Sequence, residues 1–487
     1  MKTLSNTYKH IQTVLLAVVA VLTFGGCESM DDINTDPTRM SQATPGSFLN
    51  PTLYGMGCYT WQRFNGWTFP IMQEIVSTSS TAGVGWYHIS DDAGSGTWST
   101  YYQWLNNAKA IYNYGVKTGT RNYQAIGLTL QAWITEGLVE AFGDVPVDEA
   151  CMGDSGVYYA KFNTQKEAFT TILTDLAKAD TLFNTKEGLK YNSSGDMMYC
   201  QSGTDADGIA KWRKFANSLR LRCLLRVLNV DGLNAKEQIQ AMFANPANYP
   251  LIDSNDASAA VSITGIAPEE QPMPRISDLT SYLVYSSFFI DRLKTWNDPR
   301  LAVWASKITL ADGTKDYKGI QSGYSVLTDP DASQPIAANI AQAPMKLMIL
   351  PYAEVEFMKA ELIQRGIIQG DAKKEYEAGV KASAEQWGTT LPDDYFDNPE
   401  AAYDGTLQRI MEQKFYALFF VGMEQWFEYN RTGYPEVPVG PGVDAGDGMP
   451  HRFKYPTVLQ RTNPENYKKA VENMGGNDFS IKLIWQK

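Results

Sequence analysis

Residues 212–228 read WRKFANSLRLRCLLRVL, and this stretch indicates the kind of fold that the chain adopts. Its large apolar residues return with the periodicity that places them along one face of an α-helix. They are Trp212, Phe215, Leu219, Leu221, Leu225 and Leu228. Because polar side chains inside such a face need partners, we expect Asn217 to be hydrogen-bonded in the core. For Arg220 and Arg222 we expect pairing with acids or with helix ends.

The same periodicity appears on both sides of this stretch. It predicts helices over residues 122–143, 164–182, 351–366 and 371–387, and one long helical pattern over 407–426. Consecutive helices with short connections are typical of helical-hairpin repeats, in which each pair buries its apolar face against its neighbour. The sequence therefore predicts an all-α fold of tetratricopeptide-like helix pairs, although no exact repeat of about 34 residues is visible.

Long irregular stretches separate these helices. They cover residues 77–97, 184–210, 253–277, 310–345, 388–402 and 432–458. Loops of this length in a folded body are usually functional surface, so we expect them to carry the binding site. None has the composition of a linker between domains, and we predict one large domain.

The N-terminus has the features of a lipoprotein signal. Two lysines precede an apolar run over residues 14–22, which is too short to cross a bilayer. Residues 22–27 read LTFGGC and place two small residues before Cys27, as in a lipidation site, although Phe24 stands where a small aliphatic residue is usual.

These features set the predicted boundaries and the location. We expect a signal peptide over residues 1–26, a lipidated tether over 27–45 and a binding domain over 46–487. The acidic pair at residues 31 and 32 resembles the export signal of surface lipoproteins. The predicted location is the outer membrane, with the protein held by its lipid and facing the cell exterior.

Composition argues against several classes of function. The formal net charge of −12 disfavours nucleic acids and anionic lipid surfaces, since both attract clustered cations. Beyond the signal only His88 and His451 remain, and no zinc-protease, phosphate-loop or nucleophile-elbow motif is present. We therefore predict a protein that is not an enzyme and that needs no cofactor. The run Asp205-Ala206-Asp207-Gly208 leaves a structural calcium ion open.

Cysteine spacing points to no redox or metal motif. Cys58, Cys151, Cys200 and Cys223 form no CxxC pair. We expect small buried side chains, while one disulfide stays open for an exported protein.

A series of short motifs carries a resemblance to a known family. In chain order they are Asn34-Thr35-Asp36-Pro37, Phe142-Gly143-Asp144-Val145-Pro146, Trp212 to Arg222, Asp298-Pro299-Arg300-Leu301, Tyr352-Ala353-Glu354-Val355-Glu356-Phe357 before Ala360-Glu361, Tyr376, Ser383, Trp387-Gly388, Glu412-Gln413-Lys414-Phe415, Arg431-Thr432-Gly433-Tyr434-Pro435, Arg452 and Tyr455-Pro456. In order and spacing, across nearly the whole mature chain, they resemble the SusD/RagB family.

The resemblance implies a function as well as a fold. It implies a helical surface lipoprotein that binds nutrient oligomers, most often oligosaccharides. It also implies a partner, a SusC-like TonB-dependent transporter that the lipoprotein covers and supplies. Some relatives bind peptides, so a RagB-like peptide-binding function is the alternative.

The candidate binding site is an aromatic-rich segment. Residues 59–104 contain 11 aromatic residues, separated mostly by Gly, Ser, Thr and Asn. Aromatic rings cover the C–H faces of sugars while hydroxyls and amides bind their OH groups. The ligand-binding residues predicted from this segment and from one later loop are Trp61, Trp67, Trp86, Tyr87, Asp91, Asp92, Trp98 and Tyr317.

Two other interpretations of these residues remain open at this point. Aromatic residues at helical spacing are more often part of a core than of a binding platform. Carboxylates such as Glu136 and Glu140, or Asp91 and Asp92, would serve a glycoside hydrolase if they faced each other across a cleft. The scarcity of histidine and the abundance of aromatic residues favour binding over catalysis.

Overall fold

The computed structural model describes residues 44–486 except 445 and 447. The predicted signal peptide, the lipidation site at Cys27 and nearly all of the predicted tether lie outside the described residues. The first helix of the described residues begins at Pro45.

Helices dominate the described chain, as the sequence predicts. The α-helices are α1 (Pro45–Arg63), α2 (Phe69–Ile71), α3 (Ser95–Thr118), α4 (Arg121–Phe142), α5 (Gln165–Leu182), α6 (Ala206–Arg226), α7 (Ala235–Ala244), α8 (Ser287–Trp296), α9 (Arg300–Trp304), α10 (Ala337–Ile340), α11 (Tyr352–Gln364), α12 (Ala372–Gln386), α13 (Leu407–Ala417), α14 (Glu424–Thr432), α15 (Leu459–Thr462) and α16 (Pro464–Met474). A π-helical turn covers Phe64–Thr68, and short 3₁₀ turns lie at Val84–Trp86, Gly153–Ser155, Asn255–Ala257, Ile276–Leu279, Tyr395–Asp397 and Ile484–Gln486.

Short strands form three separate two-stranded antiparallel sheets. The strands are β1 (Ile75–Ser77), β2 (Ala259–Ile263), β3 (Leu283–Tyr285), β4 (Ile308–Thr309), β5 (Lys315–Asp316) and β6 (Met345–Leu350). They pair as β1 with β3, β2 with β6 and β4 with β5. Several of these strands lie in stretches that the sequence predicts to be irregular, because their pairing depends on contacts between segments far apart in the chain.

Consecutive helices pack as pairs. Helix α3 packs on α4, α4 on α5, α5 on α6, and α11 on α12. Glycine permits the closest approach, since a Cβ at Gly127 of α4 would lie 2.7 Å from the backbone nitrogen of Tyr112 on α3. Local sequence fixes where helices begin, as in α5, where Thr164 and Glu167 form a capping box.

The prediction of one long helix over residues 407–426 is wrong. The structure breaks it into α13 and α14, because residues 418–423 form a turn in which Phe420 has a φ of +60° and Gly422 a φ of +54°. The hydroxyl of Thr68 donates to the Gly422 carbonyl at 2.8 Å and holds this turn against the helix-to-strand connection after α1. The apolar pattern of the sequence does not stop at the turn, because the turn residues Leu418, Phe419 and Val421 are also buried.

Two buried arginines of α6 tie the helices together. Arg222 donates to both carboxylate oxygens of Glu354 on α11, at 2.8 and 2.7 Å. Arg226 donates to Glu140 of α4 at 2.8 Å and to Glu424 of α14 at 2.6 Å. These are the strong, geometrically specific pairs expected of buried guanidinium groups.

The network continues through α14. Glu428 accepts from Arg226, from Lys414 of α13 at 2.8 Å and from Arg431 at 2.6 Å. Arg431 also binds both oxygens of Glu361 on α11, at 2.7 Å each. Although burial alone would raise the pKa of Glu428, Arg431 and Lys414 hold it well below its ordinary value.

Another family motif is also structural. Arg300 is fully buried and binds both carboxylate oxygens of Asp298, at 2.9 and 2.6 Å. It also donates to Ser383 and to Gln413, each at 2.8 Å, so one side chain links α9, α12 and α13.

The acid Glu136 of α4 is only partly compensated by the arginines of the α6 network. Burial raises its pKa to about 7, with Arg222 opposing the shift and Glu424 adding to it. Because this pKa lies above its ordinary value of 4.5, the folded state binds more protons, and stability falls as the pH rises from about 4.5 to about 7.

We therefore expect Glu136→Gln to stabilise the protein at pH 8, by up to about 3 kcal/mol, and to do so less at pH 5. Urea denaturation at both pH values measures this difference. Glu472→Gln, at an exposed carboxylate of α16, is the control and should change neither value. A lower free energy of unfolding for Glu136→Gln at pH 8 would show that its charged form is needed.

Candidate functional site

The predicted binding residues do not meet in one place. Trp67 is 1% exposed and packs between Trp426 and Phe453, with ring centroids 5.2 and 4.4 Å away. Tyr87 is also buried, and burial raises the pKa of its hydroxyl. Neither ring has a face open to solvent, and the site proposed below does not include these two residues.

Trp86 positions two loops instead of presenting its ring. It is 2% exposed, and its indole N–H donates to the Tyr324 carbonyl at 3.1 Å. The Tyr324 hydroxyl donates in turn to the Ser77 carbonyl at 2.8 Å, and the two rings meet edge to face at 5.1 Å. Together with Val284 and Ile320 they form a small separate core beneath the loops. Trp86 therefore joins the loop after β1 to the loop that contains Tyr324.

Trp98, Asp91 and Asp92 face the C-terminal segment. The half-buried ring of Trp98 packs against Tyr102, Phe142, Phe162 and Tyr455. Asp91 accepts from Lys454 at 2.8 Å. Asp92 accepts from the Thr457 backbone and hydroxyl, each at 3.1 Å, and from Ser95, and these hydrogen bonds lower its pKa. Both carboxylates thus hold the C-terminal segment in place.

Trp61 and Tyr317 lie apart from this group. Tyr317 is half-buried next to the β4–β5 hairpin, with the Lys307 ammonium 5.2 Å from its ring centroid. Trp61 is buried at the floor of a large cavity, where it stacks on Phe420 at 5.0 Å.

Two depressions lie near some of these residues. The loop cleft, about 560 Å³, is lined by Thr78, Tyr282, Val284, Ile308, Thr309, Pro330, Asp331, Ala332 and Gln334. The aromatic cavity, about 810 Å³, is lined chiefly by Trp61, Asn339, Gln342, Trp387, Phe419 and Phe420. The predicted residues reach only the second of these directly, through Trp61.

Tyr282 is the residue of the loop cleft that the sequence interpretation missed. Its side chain is 69% exposed and its φ is +59°, a conformation that bulky residues rarely adopt. The backbone is held there because the Tyr282 carbonyl accepts from the Thr78 backbone at 2.8 Å, at the end of the β1–β3 ladder. Backbone strain of this kind concentrates at functional sites. In the sequence, the sign of this residue is an aromatic side chain directly after the polar residues Thr280 and Ser281.

The polar groups around Tyr282 suit a neutral, hydroxyl-rich ligand. Thr309, Asp331 and Gln334 are exposed in the loop cleft. A hydroxyl, a carboxylate and an amide beside an exposed ring provide hydrogen bonds and an apolar face within one site.

The carboxylates considered for catalysis serve other purposes. Glu140 is fully buried and binds Arg226, and Glu136 accepts from the Cys223 thiol at 3.3 Å. The Asp205 carboxylate accepts from the backbones of Gly208 and Gln201 and caps α6, in the run that left calcium open. Across the described part of the chain, no group of three or more His, Cys, Asp or Glu is placed to hold a metal ion. The four described cysteines are free thiols.

The fold and these depressions describe a helical protein with open clefts between its loops and helices. The chain belongs to the SusD-like family whose model, described as starch-binding and associating with the outer membrane, matches residues 37–456. Proteins of this family are surface nutrient-binding proteins and not enzymes. Among the described residues, no helix has the length and apolar character needed to span a membrane.

Solved structures agree with the family assignment. A chitin-binding protein is 25% identical, with a TM-score of 0.77 over 91% of this chain and 100% of its own. A SusD homolog from Bacteroides fragilis is 22% identical, with a TM-score of 0.76 over 92% of this chain and 100% of its own. A SusD homolog from Bacteroides uniformis is 21% identical, with a TM-score of 0.75 over 92% and 100%. No sequence among the curated proteins matches the chain.

The hydrogen bond from Trp86 gives a direct test of how the loop cleft is positioned. We expect Trp86→Phe to lower the free energy of unfolding by at least about 1 kcal/mol, since it removes one buried hydrogen bond and replaces the indole with a smaller ring. Amide hydrogen exchange should become faster in residues 321–334. Trp98→Phe, in the same segment but packed elsewhere, is the matched control. Unchanged exchange in residues 321–334 would show that Trp86 does not hold this loop.

Proposed function

We propose that the protein binds neutral oligosaccharides in the loop cleft and delivers them to a SusC-like TonB-dependent transporter. The observation that carries this proposal is Tyr282, an exposed ring held in a strained conformation above a cleft lined by hydroxyl, amide and carboxylate groups. An open ring can stack on a sugar without any rearrangement of the protein core.

The comparisons support a carbohydrate over a peptide. The family is described as starch-binding, and the relative that is 25% identical is a chitin-binding protein. Within the loop cleft, Val284, Ile308, Pro330 and Ala332 offer only a small apolar surface, while the polar side chains stand at the rim. A peptide ligand would call for deeper apolar pockets for its side chains.

The anchor and the partner belong to the same proposal. Acylation of Cys27 would hold the folded body at the outer face of the outer membrane through the tether over residues 28–45. A negatively charged body on a flexible tether can remain close to a transporter without adhering to anionic lipid. In this proposal four of the predicted binding residues do not contact the sugar but support the structure around it. Asp91, Asp92 and Trp98 contact the C-terminal segment, and Tyr317 packs beside the β4–β5 hairpin.

We expect Tyr282→Ala to weaken oligosaccharide binding at least about tenfold, because stacking on this ring is lost. Isothermal titration of the purified protein with maltoheptaose, chitohexaose and a mixture of peptides measures the effect and identifies the ligand class. Tyr158→Ala, which removes a ring that is 76% exposed elsewhere, is the control and should bind normally. Binding of peptides alone would move the protein to the peptide-binding branch of its family.

Delivery requires a physical complex with a transporter. We expect the tagged full chain, extracted from its native membrane in mild detergent, to co-purify with a large TonB-dependent protein that mass spectrometry identifies. The Cys27→Ser variant should leave the membrane fraction, because it cannot be acylated. A chain that binds sugar normally but purifies alone from the native membrane would contradict delivery and leave sugar binding intact.

A further inference from the structure

The aromatic cavity has the properties of a second ligand site. At about 810 Å³ it is larger than the loop cleft, and the two share no lining residue. Its walls come from α1, α10, β6, the end of α12 and the turn between α13 and α14. Cavities of this volume that combine aromatic surface with a few polar groups are typical of small-molecule sites.

The floor of the cavity is a rigid aromatic surface. Trp61 stacks on Phe420 at 5.0 Å with 28° between the ring planes, and Phe419 packs 4.9 Å from Phe420. Phe420 takes its place because its backbone is left-handed, with a φ of +60°. A bulky residue in this conformation is a true outlier, of the kind that persists where surrounding contacts fix it.

Trp387 gives the cavity an open aromatic wall. The ring is half-buried at the C-terminal end of α12. Trp304 supports it edge to face at 5.5 Å, and Phe419 lies 5.7 Å away. A ring supported in this way keeps its orientation and can offer its remaining surface to a ligand.

Four side chains of the cavity wall have polar atoms that lack a hydrogen-bond partner among the described residues. They are the indole nitrogens of Trp61 and Trp387 and the amide oxygens of Asn255 and Gln386. These atoms are enclosed, so a ligand reaches them only when the wall side chains turn. Asn255 and Gln386 are only half-buried and can do so. Sugar hydroxyls both donate and accept, and they can therefore pair with both kinds of atom.

Charge around the cavity excludes a strongly ionic ligand. Asp256 is paired with Lys211, and the remaining charged residues at the mouth, Lys346 and Glu385, have opposite signs. The exposed groups between them are the amides Asn339 and Gln342. Neutral amides beside aromatic rings suit an uncharged ligand rich in hydroxyl groups.

From these observations we infer that the aromatic cavity is a second oligosaccharide-binding site, distinct from the loop cleft, in which Trp387 stacks on a sugar ring. The inference rests on the proposed function for the class of ligand but not for the location of the site. Two sites on one body would retain a glycan chain while either end dissociates, which raises effective affinity without any new contact.

The test follows Trp387 directly, in protein that carries 5-fluorotryptophan. The ¹⁹F resonance of Trp387 is assigned by its loss in Trp387→Phe. In the Tyr282→Ala background, which removes stacking in the loop cleft, we expect maltoheptaose or chitohexaose to shift this resonance in a saturable manner.

Two further variants restrict the response to the cavity. Ala338 is exposed and lines the mouth, so Ala338→Trp should block entry and weaken the Trp387 response at least tenfold. Ala241→Trp places the same side chain at an exposed position of α7 and should leave the response unchanged. Gln342→Ala removes one exposed amide at the mouth and should weaken the response without blocking the cavity. Equal thermal midpoints of the two tryptophan variants show that both remain folded.

The outcomes separate this inference from the proposed function. Suppose that Tyr282→Ala abolishes sugar binding and that sugar does not shift the Trp387 resonance when Tyr282 is intact. This result contradicts the second site and leaves the proposed function standing. A Trp387 shift that survives Ala338→Trp unchanged also overturns it, because the sugar must then bind elsewhere. If neither sugar binds to any variant, the proposed function and the second site both fail.

Discussion

The buried guanidinium groups of Arg222 and Arg226 are the interaction on which the rest of the structure depends. Both project from α6, and between them they bind carboxylates of α4, α11 and α14. Removing either arginine would leave its buried carboxylate partners uncompensated, which costs about 3–5 kcal/mol. The network therefore specifies which helices meet, because each charge has a partner only when α4, α6, α11 and α14 are correctly placed.

This scaffold allows the loops between the helices to be long. The two depressions are built mostly from segments outside the large helix pairs, and one ribbon of backbone contributes to both. Residues 303–309 pair with residues 334–340 through hydrogen bonds from Ser306 to Gln334 at 2.9 Å and from Ile336 to Trp304 at 2.8 Å. Thr309 and Gln334 line the loop cleft at one end of this ribbon, while Val303 and Asn339 line the aromatic cavity at the other. Main-chain hydrogen bonds along this ribbon thus contribute to the spacing between the two depressions.

The helices follow from the sequence more directly than the exposure of individual rings, for a physical reason. Helix periodicity and caps are local, so the capping box at Thr164 and the helix that contains Trp212 follow from a few neighbouring residues. The prediction over residues 407–426 failed because apolar periodicity does not distinguish a buried helix from a buried turn. Binding residues depend on which rings stay uncovered after folding, and that depends on distant segments. Trp86 sits in a Gly- and Ser-rich loop, yet its ring is covered by Tyr324, 238 residues away in the chain.

The many aromatic residues over 59–104 are therefore compatible either with a core or with a binding surface, and composition alone does not distinguish the two. Trp67 and Trp98 stabilise the contact between the N-terminal helices and the segment around Phe453 and Tyr455, where burial removes apolar ring area from water. Two rings that stay open at the depressions, Tyr282 and Trp387, lie outside residues 59–104. Each stands beside amide, hydroxyl or carboxylate groups that the helical scaffold leaves at the surface. A ring becomes a binding surface here because its environment is polar and open, and the same side chain becomes a core anchor wherever another apolar segment reaches it first.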